Sequence, residues 1–186
     1  MKRSLAALLL GSGVVLVAPA PALGGQVYLR EADAPRAIFP ASTGATRKVL
    51  DLNDTELGAI SKAIGRKVEV RSYPYLEVRS DQGVLGAIFI LDVVGQSLPI
   101  QFAVGVTPDG AIQDVQVMVY REPQGDAIQE KRFRKQFVGK HLTDPIALGK
   151  DIDAISGATI SAQSATYAAR KALALAQVLR ARAATP

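Results

Sequence analysis

Between Val84 and Val119 the chain repeats one arrangement, a β-type run followed by a turn of a few residues. VLGAIFILDVV (84–94) leads into Gly95-Gln96-Ser97, LPIQFAVGV (98–106) leads into Pro108-Asp109-Gly110, and Ile112, Val115, Val117 and Val119 mark a third run. Turns this short join antiparallel strands, because a parallel crossover needs about a dozen residues or more. Upstream, Val68 and Val70 alternate with Lys67 and Glu69. Leu76 and Val78 resume the pattern after a Tyr73-Pro74-Tyr75 bend, and Asp81-Gln82-Gly83 turns the chain again. An antiparallel sheet is therefore expected between Lys67 and Arg121.

Helical signals flank the strands. Residues 26–50 are the least regular part, although Asp33 and Pro35 can open a short helix holding Ile38 and Phe39 that Pro40 stops. Asn53 and Glu56 have capping-box spacing, Leu57, Ile60 and Ile64 share a face, and Gly65 suits the C-terminal cap. After Tyr120, Asp126 and Gln129 repeat the capping spacing, Phe133 and Phe137 stand at i, i+4, and Gly139 can end the helix. A long Ala-rich helix is expected over 160–182, with Ala165, Ala168, Ala172, Ala176 and Leu179 on one stripe and Arg180 and Arg182 at its negative end. The expected fold is a single α+β domain, an antiparallel sheet packed with helices.

Composition narrows the chemistry. The 186 residues suit one domain, and 48% hydrophobic residues supply a core. The absence of cysteine excludes disulfides, iron–sulfur clusters, c-type haem, thiol catalysis and a lipoprotein anchor, and a single histidine excludes a multi-His metal site. A serine hydrolase is not indicated either, since G-x-S-x-G is missing and His141 is the only histidine base. No catalytic residue and no metal ligand are assigned.

Residues 1–25, MKRSLAALLLGSGVVLVAPAPALGG, begin with Lys2 and Arg3, continue through an apolar run to Val17, and offer Ala20-Pro21-Ala22 for cleavage. That order describes a secretory signal peptide over 1–22, with an uncleaved membrane anchor as the alternative. Cleavage removes two cations and lowers the net charge from +5 to +3, too mild a balance for nucleic-acid binding. The expected organisation is the signal peptide, an N-terminal segment with helices at 23–66, and a core domain at 67–186.

The chemistry concentrates at 151–161, DIDAISGATIS, just before the long helix. Gly157 permits backbone conformations closed to other residues, Ser156 and Ala158 add little bulk, and Thr159 lies at or beside the helix N-cap. Free N–H groups and the positive dipole end there suit a phosphate. A capped helix start with no further role is the plain reading of these residues taken alone.

Asp153-Ala154-Ile155-Ser156-Gly157-Ala158-Thr159 resembles the D-x-x-[ST]-G-A-T pattern of covalently flavinylated FMN-binding domains. These occur in the C subunit of the sodium-translocating NADH:quinone oxidoreductase, the G subunit of Rnf-type electron-transport complexes, and smaller exported relatives. The resemblance covers roughly residues 84–180. Tyr120-Arg121-Glu122-Pro123-Gln124-Gly125 is similar to the family's E-T-P-G element, with Pro-Gln-Gly departing from T-P-G, and Phe137-Val138-Gly139-Lys140 is similar to its F-x-G-K element.

The resemblance implies FMN joined to Thr159 by a phosphoester, with Ser156, Gly157 and Ala158 forming the loop around it. The same resemblance makes Asp153 the residue that an FAD- and magnesium-dependent flavin transferase would read, and Glu122 a candidate flavin contact. It further implies an exported electron carrier working between donor and acceptor proteins of a membrane-associated complex, rather than a stand-alone enzyme. A flavin-dependent reductase of a small molecule and an unmodified binding module are the alternatives.

Other features receive plainer readings. Thr43-Gly44-Ala45-Thr46 nearly repeats the motif but has Pro40 where Asp is needed, and is read as coil without flavin. Lys131, Arg132, Arg134, Lys135 and Lys140 form a basic cluster, read as a solvated face unless it meets an acidic partner or the FMN phosphate. Asp151 and Asp153 are read as solvated carboxylates. Phe89, Phe102, Tyr120, Phe133 and Tyr167 are expected mostly in the core.

Overall fold

The computed structural model describes residues 24–184, so the expected signal segment 1–22 lies outside the described residues. The chain runs through β1 (Gln26–Val27), α1 (Ala34–Ile38), β2 (Gly44–Asp51), α2 (Asp54–Ile64), β3 (Ser72–Ser80), β4 (Gly83–Val94), β5 (Pro99–Val106), β6 (Ile112–Tyr120), α3 (Lys131–Arg134) and α4 (Thr159–Ala184). Six strands make one antiparallel sheet in the order β1-β6-β5-β4-β3-β2. The expected α+β fold is the one found. No helix among the described residues is long and apolar enough to cross a membrane.

The meander forms at the expected turns. Phe89 of β4 pairs with Val104 of β5, and Val104 with Val115 of β6, so one apolar row crosses the sheet centre. On this face the wholly buried Phe89 and Phe102 meet α4 and α2. The alanines of α4 explain why a long helix can lie so close: Ala162, Ala165, Ala168, Ala169, Ala172 and Ala176 are all buried and leave the helix axis near the strands.

Helix α2 begins as its sequence dictates. Asn53 Oδ1 accepts from the Glu56 N–H at 2.9 Å, Glu56 Oε2 accepts from the Asn53 N–H at 2.9 Å, and Gly65 closes the helix with φ +70°. Arg182 near the end of α4 reaches Glu56 at 2.7 Å and ties the two helices together.

A smaller core covers the opposite face. Leu29, Ala34, Ile38 and Phe39 pack on Leu76, Val78, Ile88, Ala103 and Met118. Gly105 makes room for this strap, since a Cβ there would stand 3.2 Å from Phe39 Cε2 and closer still to Ile38. Strands β1 and β2 lie at opposite edges of the sheet, so residues 28–43 cross its whole width on this face.

Four local expectations need correction. Residues 67–70 form a connector, in which Val68 is buried and donates its N–H to Ser61 Oγ at 3.0 Å, while Val70 is exposed. Tyr73-Pro74-Tyr75 is not a bend but part of β3. Pro74 pairs with Val49, and the β3–β4 ladder starts only at Tyr75, so the missing N–H falls outside that ladder. Residues 44–51, read as irregular, form the edge strand β2, and the Gly44-Ala45-Thr46 near-match is strand rather than coil. The helix after Tyr120 is broken into two 3-10 turns around α3. Gly125 starts the first at φ +94° without a side-chain cap, and Asp126 instead accepts from the Tyr28 hydroxyl at 2.7 Å.

Candidate functional site

The site is assembled where α4 starts. Gly157 adopts φ +76°, the left-handed conformation that a side chain resists, and turns the chain into the helix. Ala158 is buried, its N–H bonds Ile155 O at 3.0 Å, and its carbonyl accepts from the Ala162 N–H at 2.8 Å. Thr159 is then the first residue of α4 and is exposed, and its hydroxyl has no hydrogen-bond partner among the described residues. The N–H groups of the first turn have no intrahelical acceptors, so they face outward as donors beside that hydroxyl.

The loop before α4 is held from behind. Gln136 accepts from the Asp153 N–H at 2.7 Å, which leaves the Asp153 carboxylate exposed. Asp151 points inward: its carboxylate accepts from the Ala147 N–H at 2.9 Å, the Ile146 N–H at 3.1 Å and Lys140 Nζ at 2.9 Å. Burial pushes the Asp151 pKa up, but the Lys140 bond and the two backbone N–H groups outweigh it and the net shift is downward. Asp151 is therefore a structural plug, not the solvated carboxylate expected. It holds Ile146, a buried residue at φ +41°, in a conformation that costs energy. The F-x-G-K element serves the same end, since Phe137 is buried edge-to-face on Phe133 and Lys140 supplies the partner of Asp151.

The fold brings the 120–125 element onto the start of α4. The Tyr120 hydroxyl bonds Ser161 Oγ at 2.7 Å and also the Gln124 carbonyl. Burial is the largest influence on the Tyr120 phenol and raises its pKa. Gly125 sits against the helix start so closely that a Cβ would lie 2.7 Å from Ser161 Oγ and 3.5 Å from Ala158 Cα. Glu122 is engaged at the β4–β5 turn. Its Oε1 accepts from the Ser97 N–H at 2.6 Å and the Leu98 N–H at 2.9 Å, and these bonds hold its pKa below the usual carboxylate value. Glu122 thus caps the β4–β5 turn.

Beside the loop lies an open depression of about 560 Å³ lined by Arg132, Phe133, Gln136, Asp153, Ile155 and Ser156. Of the basic cluster, Arg134 pairs with Asp114 at 2.6 Å, Arg132 with Glu130 at 2.6 Å, and Lys140 with Asp151. Only Arg132 of these borders the depression. His141 Nε2 stands 3.9 Å from Asp109, and no group of metal-ligating side chains occurs among the described residues. Phe89, Phe102, Tyr120 and Phe133 are core residues, while Tyr167 is half-buried.

Ser156, Gly157, Ala158, Thr159 and Asp153 therefore stand together, while the Glu122 carboxylate is taken up by the Ser97 and Leu98 N–H groups of the β4–β5 turn. Sequence reasoning missed Gln136 and Ser161. Ser161 had a faint signal, a buried polar residue one turn into an Ala-rich helix, whereas nothing in the sequence marks Gln136.

Residues 95–174 match the family model of the FMN-binding domain, and this segment contains every site residue named above. FMN is the cofactor that this match indicates. The crystal structure of NqrC from Shewanella oneidensis is similar to the chain at 19% sequence identity and a TM-score of 0.54, over 78% of this chain and 88% of that one, which establishes a shared fold. No curated protein matches the chain. The geometry suits the phosphate end of FMN, because outward N–H donors and an unengaged hydroxyl meet at Thr159.

Proposed function

We propose that the protein is an exported electron carrier whose FMN is joined covalently to Thr159. The observation that carries this reading is the exposed, unpartnered Thr159 hydroxyl at the first turn of α4, inside an Asp153-to-Thr159 segment that agrees with the flavinylation pattern at each specified position. In the attachment step the Thr159 oxygen bonds the flavin-side phosphorus of FAD. The bond from that phosphorus to the bridging oxygen would break, AMP would leave with that oxygen, and the hydroxyl proton would pass to solvent or to a base of the transferase. The dipole end of α4 and its free N–H groups favour the negative phosphate that results.

FMN supplies the exchange of electrons, which no side chain of this chain can provide. The protein's own residues do the rest. Gly157 and Ala158 keep the approach to Thr159 unobstructed, Asp153 presents a carboxylate for the transferase to read, and Gln136, Asp151 and Lys140 fix the loop. Covalent attachment suits an exported protein, since a cofactor lost outside the cytoplasm is not readily replaced. Its donor and acceptor are proposed to be proteins of a membrane-associated complex, in keeping with the fold shared with NqrC.

The test is intact-mass analysis after co-production with a flavin transferase. The expected result is a gain of one FMN less one water, mapped to the peptide containing Thr159, on a chain beginning near Leu23. Wild-type protein that gains no flavin from an active transferase overturns the carrier reading, and a chain recovered from membranes with Met1 intact overturns cleavage and supports an uncleaved membrane anchor.

A further inference from the structure

One face of α4 runs from exposed Ile160 past the buried Ser164 to the half-buried Tyr167 and Lys171. Ile160, Ser164, Tyr167 and Lys171 lie within a narrow arc at helical spacing, about 16 Å from first to last. Ser164 Oγ donates to both the Val94 and Ile160 carbonyls, at 3.0 and 3.1 Å, which sets Val94 beside Ile160. Both side chains are open to solvent, Val94 at 69% and Ile160 at 44%. Two turns further along, the Tyr167 ring has Arg66 at 5.0 Å and Lys171 at 5.8 Å from its centroid, and Lys171 lies 4.8 Å from the Tyr73 ring.

These two cations repel each other, and neither has a carboxylate partner among the described residues. Burial and the Arg66 charge depress the Lys171 pKa. Beneath them the Tyr73 hydroxyl, on a residue only 4% exposed, is buried without a hydrogen-bond partner. On the sheet, Arg47, Lys48, Arg79, Arg121 and Arg134 each have a carboxylate within 4.0 Å, and behind the α4 loop so does Lys140. Here the fold keeps two together, on aromatic rings, next to exposed apolar surface that adjoins Thr159. Unanswered positive charge beside a small apolar patch is complementary to an acidic protein surface.

We propose that the strip from Val94 and Ile160 to Arg66, Tyr167 and Lys171 is the docking surface for an acidic redox partner protein. The partner's carboxylates pair with Arg66 and Lys171, and its apolar surface covers Val94 and Ile160. Contact of this size fits the small, transient interfaces of electron transfer, in which complementary charge governs encounter. The inference rests on the carrier reading, but its test does not need the flavin.

Isotope-labelled protein, both flavin-loaded and as Thr159→Ala, is titrated at low salt with a plant-type [2Fe–2S] ferredoxin as the acidic probe and with basic cytochrome c as the control. Amide shifts are expected to cluster at 66, 94–97 and 160–171 in both forms. Arg66→Gln with Lys171→Met is expected to weaken ferredoxin binding about tenfold and flatten its salt dependence. Arg66→Glu, at an exposed position outside the core, is expected to weaken binding even if the double variant proves unstable. No ferredoxin binding, shifts elsewhere, unchanged affinity in Arg66→Glu, or equal binding of cytochrome c at the same residues overturns the proposal. Absence of flavin from the wild type, by contrast, overturns only the carrier reading.

Discussion

Two segments of this chain spell nearly the same word. Ser156-Gly157-Ala158-Thr159 and Thr43-Gly44-Ala45-Thr46 differ by one hydroxyl-bearing residue, and both final threonines are exposed. Their backbones have nothing in common. Gly157 turns at φ +76° into a 26-residue helix, whereas Gly44 opens an extended edge strand whose Thr46 pairs with Glu77. In the first case the N–H groups around the threonine are unclaimed. In the second the strand backbone is laid along its β3 partner. A short motif therefore acquires chemistry from the element it begins, and exposure of the hydroxyl is not enough.

The largest effect that would break this comparison is all-or-none. Thr159→Ala is expected to abolish covalent flavin, and Thr46→Ala to leave it unchanged, as read by intact mass and in-gel fluorescence. Pro40→Asp sharpens the same point by completing the D-x-x-[ST]-G-A-T spacing before Thr46. That variant is still expected to carry flavin only on Thr159, and a second flavin on Thr46 would show that residue pattern alone suffices.

Next in size is the support behind each segment. Asp151→Asn removes a part-buried carboxylate from two N–H groups and Lys140, and is expected to cost about 2–3 kcal/mol in denaturant unfolding. Glu77→Gln, under Thr46, breaks pairs with Lys48 and Arg79 whose cations are largely exposed, and is expected to cost under about 1 kcal/mol. The sign with pH follows from the depressed Asp151 pKa. Its stabilisation is full above the ordinary aspartate range and is lost as pH falls through the lowered folded value. Wild type should therefore lose stability in acid more steeply than Asp151→Asn.

Smaller still, Gly157→Ala is expected to cost about 1–2 kcal/mol through its left-handed backbone, while Gly44→Ala, extended and with open space around it, should be near neutral. The smallest effect on stability belongs to Asp153→Ala. Its side chain is exposed and its backbone N–H, not its carboxylate, holds Gln136, so unfolding should shift by less than about 0.5 kcal/mol. Flavin loading should nevertheless fall, measured as the loaded fraction at fixed transferase.

The same contrast explains what the sequence let through. Asn53 with Glu56, Gly65, the turns at 81–83, 95–97 and 108–110, and the alanine stripe of α4 are local signals that local physics obeys. Strand β2 escaped notice because an edge strand with one partner needs no apolar alternation, and Leu50 is its one buried residue. The alternation at 67–70 misled because the Gly65 cap and the Ser61 hydroxyl take that stretch into a connector. At the site, Asp153 to Thr159 was legible as a word. The grip of Gln136 on Asp153, the plug at Asp151 and the diversion of Glu122 to the 95–98 turn are long-range bonds, and no local pattern encodes them.

The strap across the back of the sheet carries a consequence in time rather than in space. Gln26 pairs with Tyr120, at the far end of the last strand, and residues 28–43 lie over strands that are all made later in the chain. The first part of the described chain to be synthesised thus has nothing to rest on until β6 exists, and loop closure over that distance is entropically slow. The strap is therefore expected to close last in assembly and to reopen first. Amide exchange should find α1 and β1 releasing together, well before the meander beneath them.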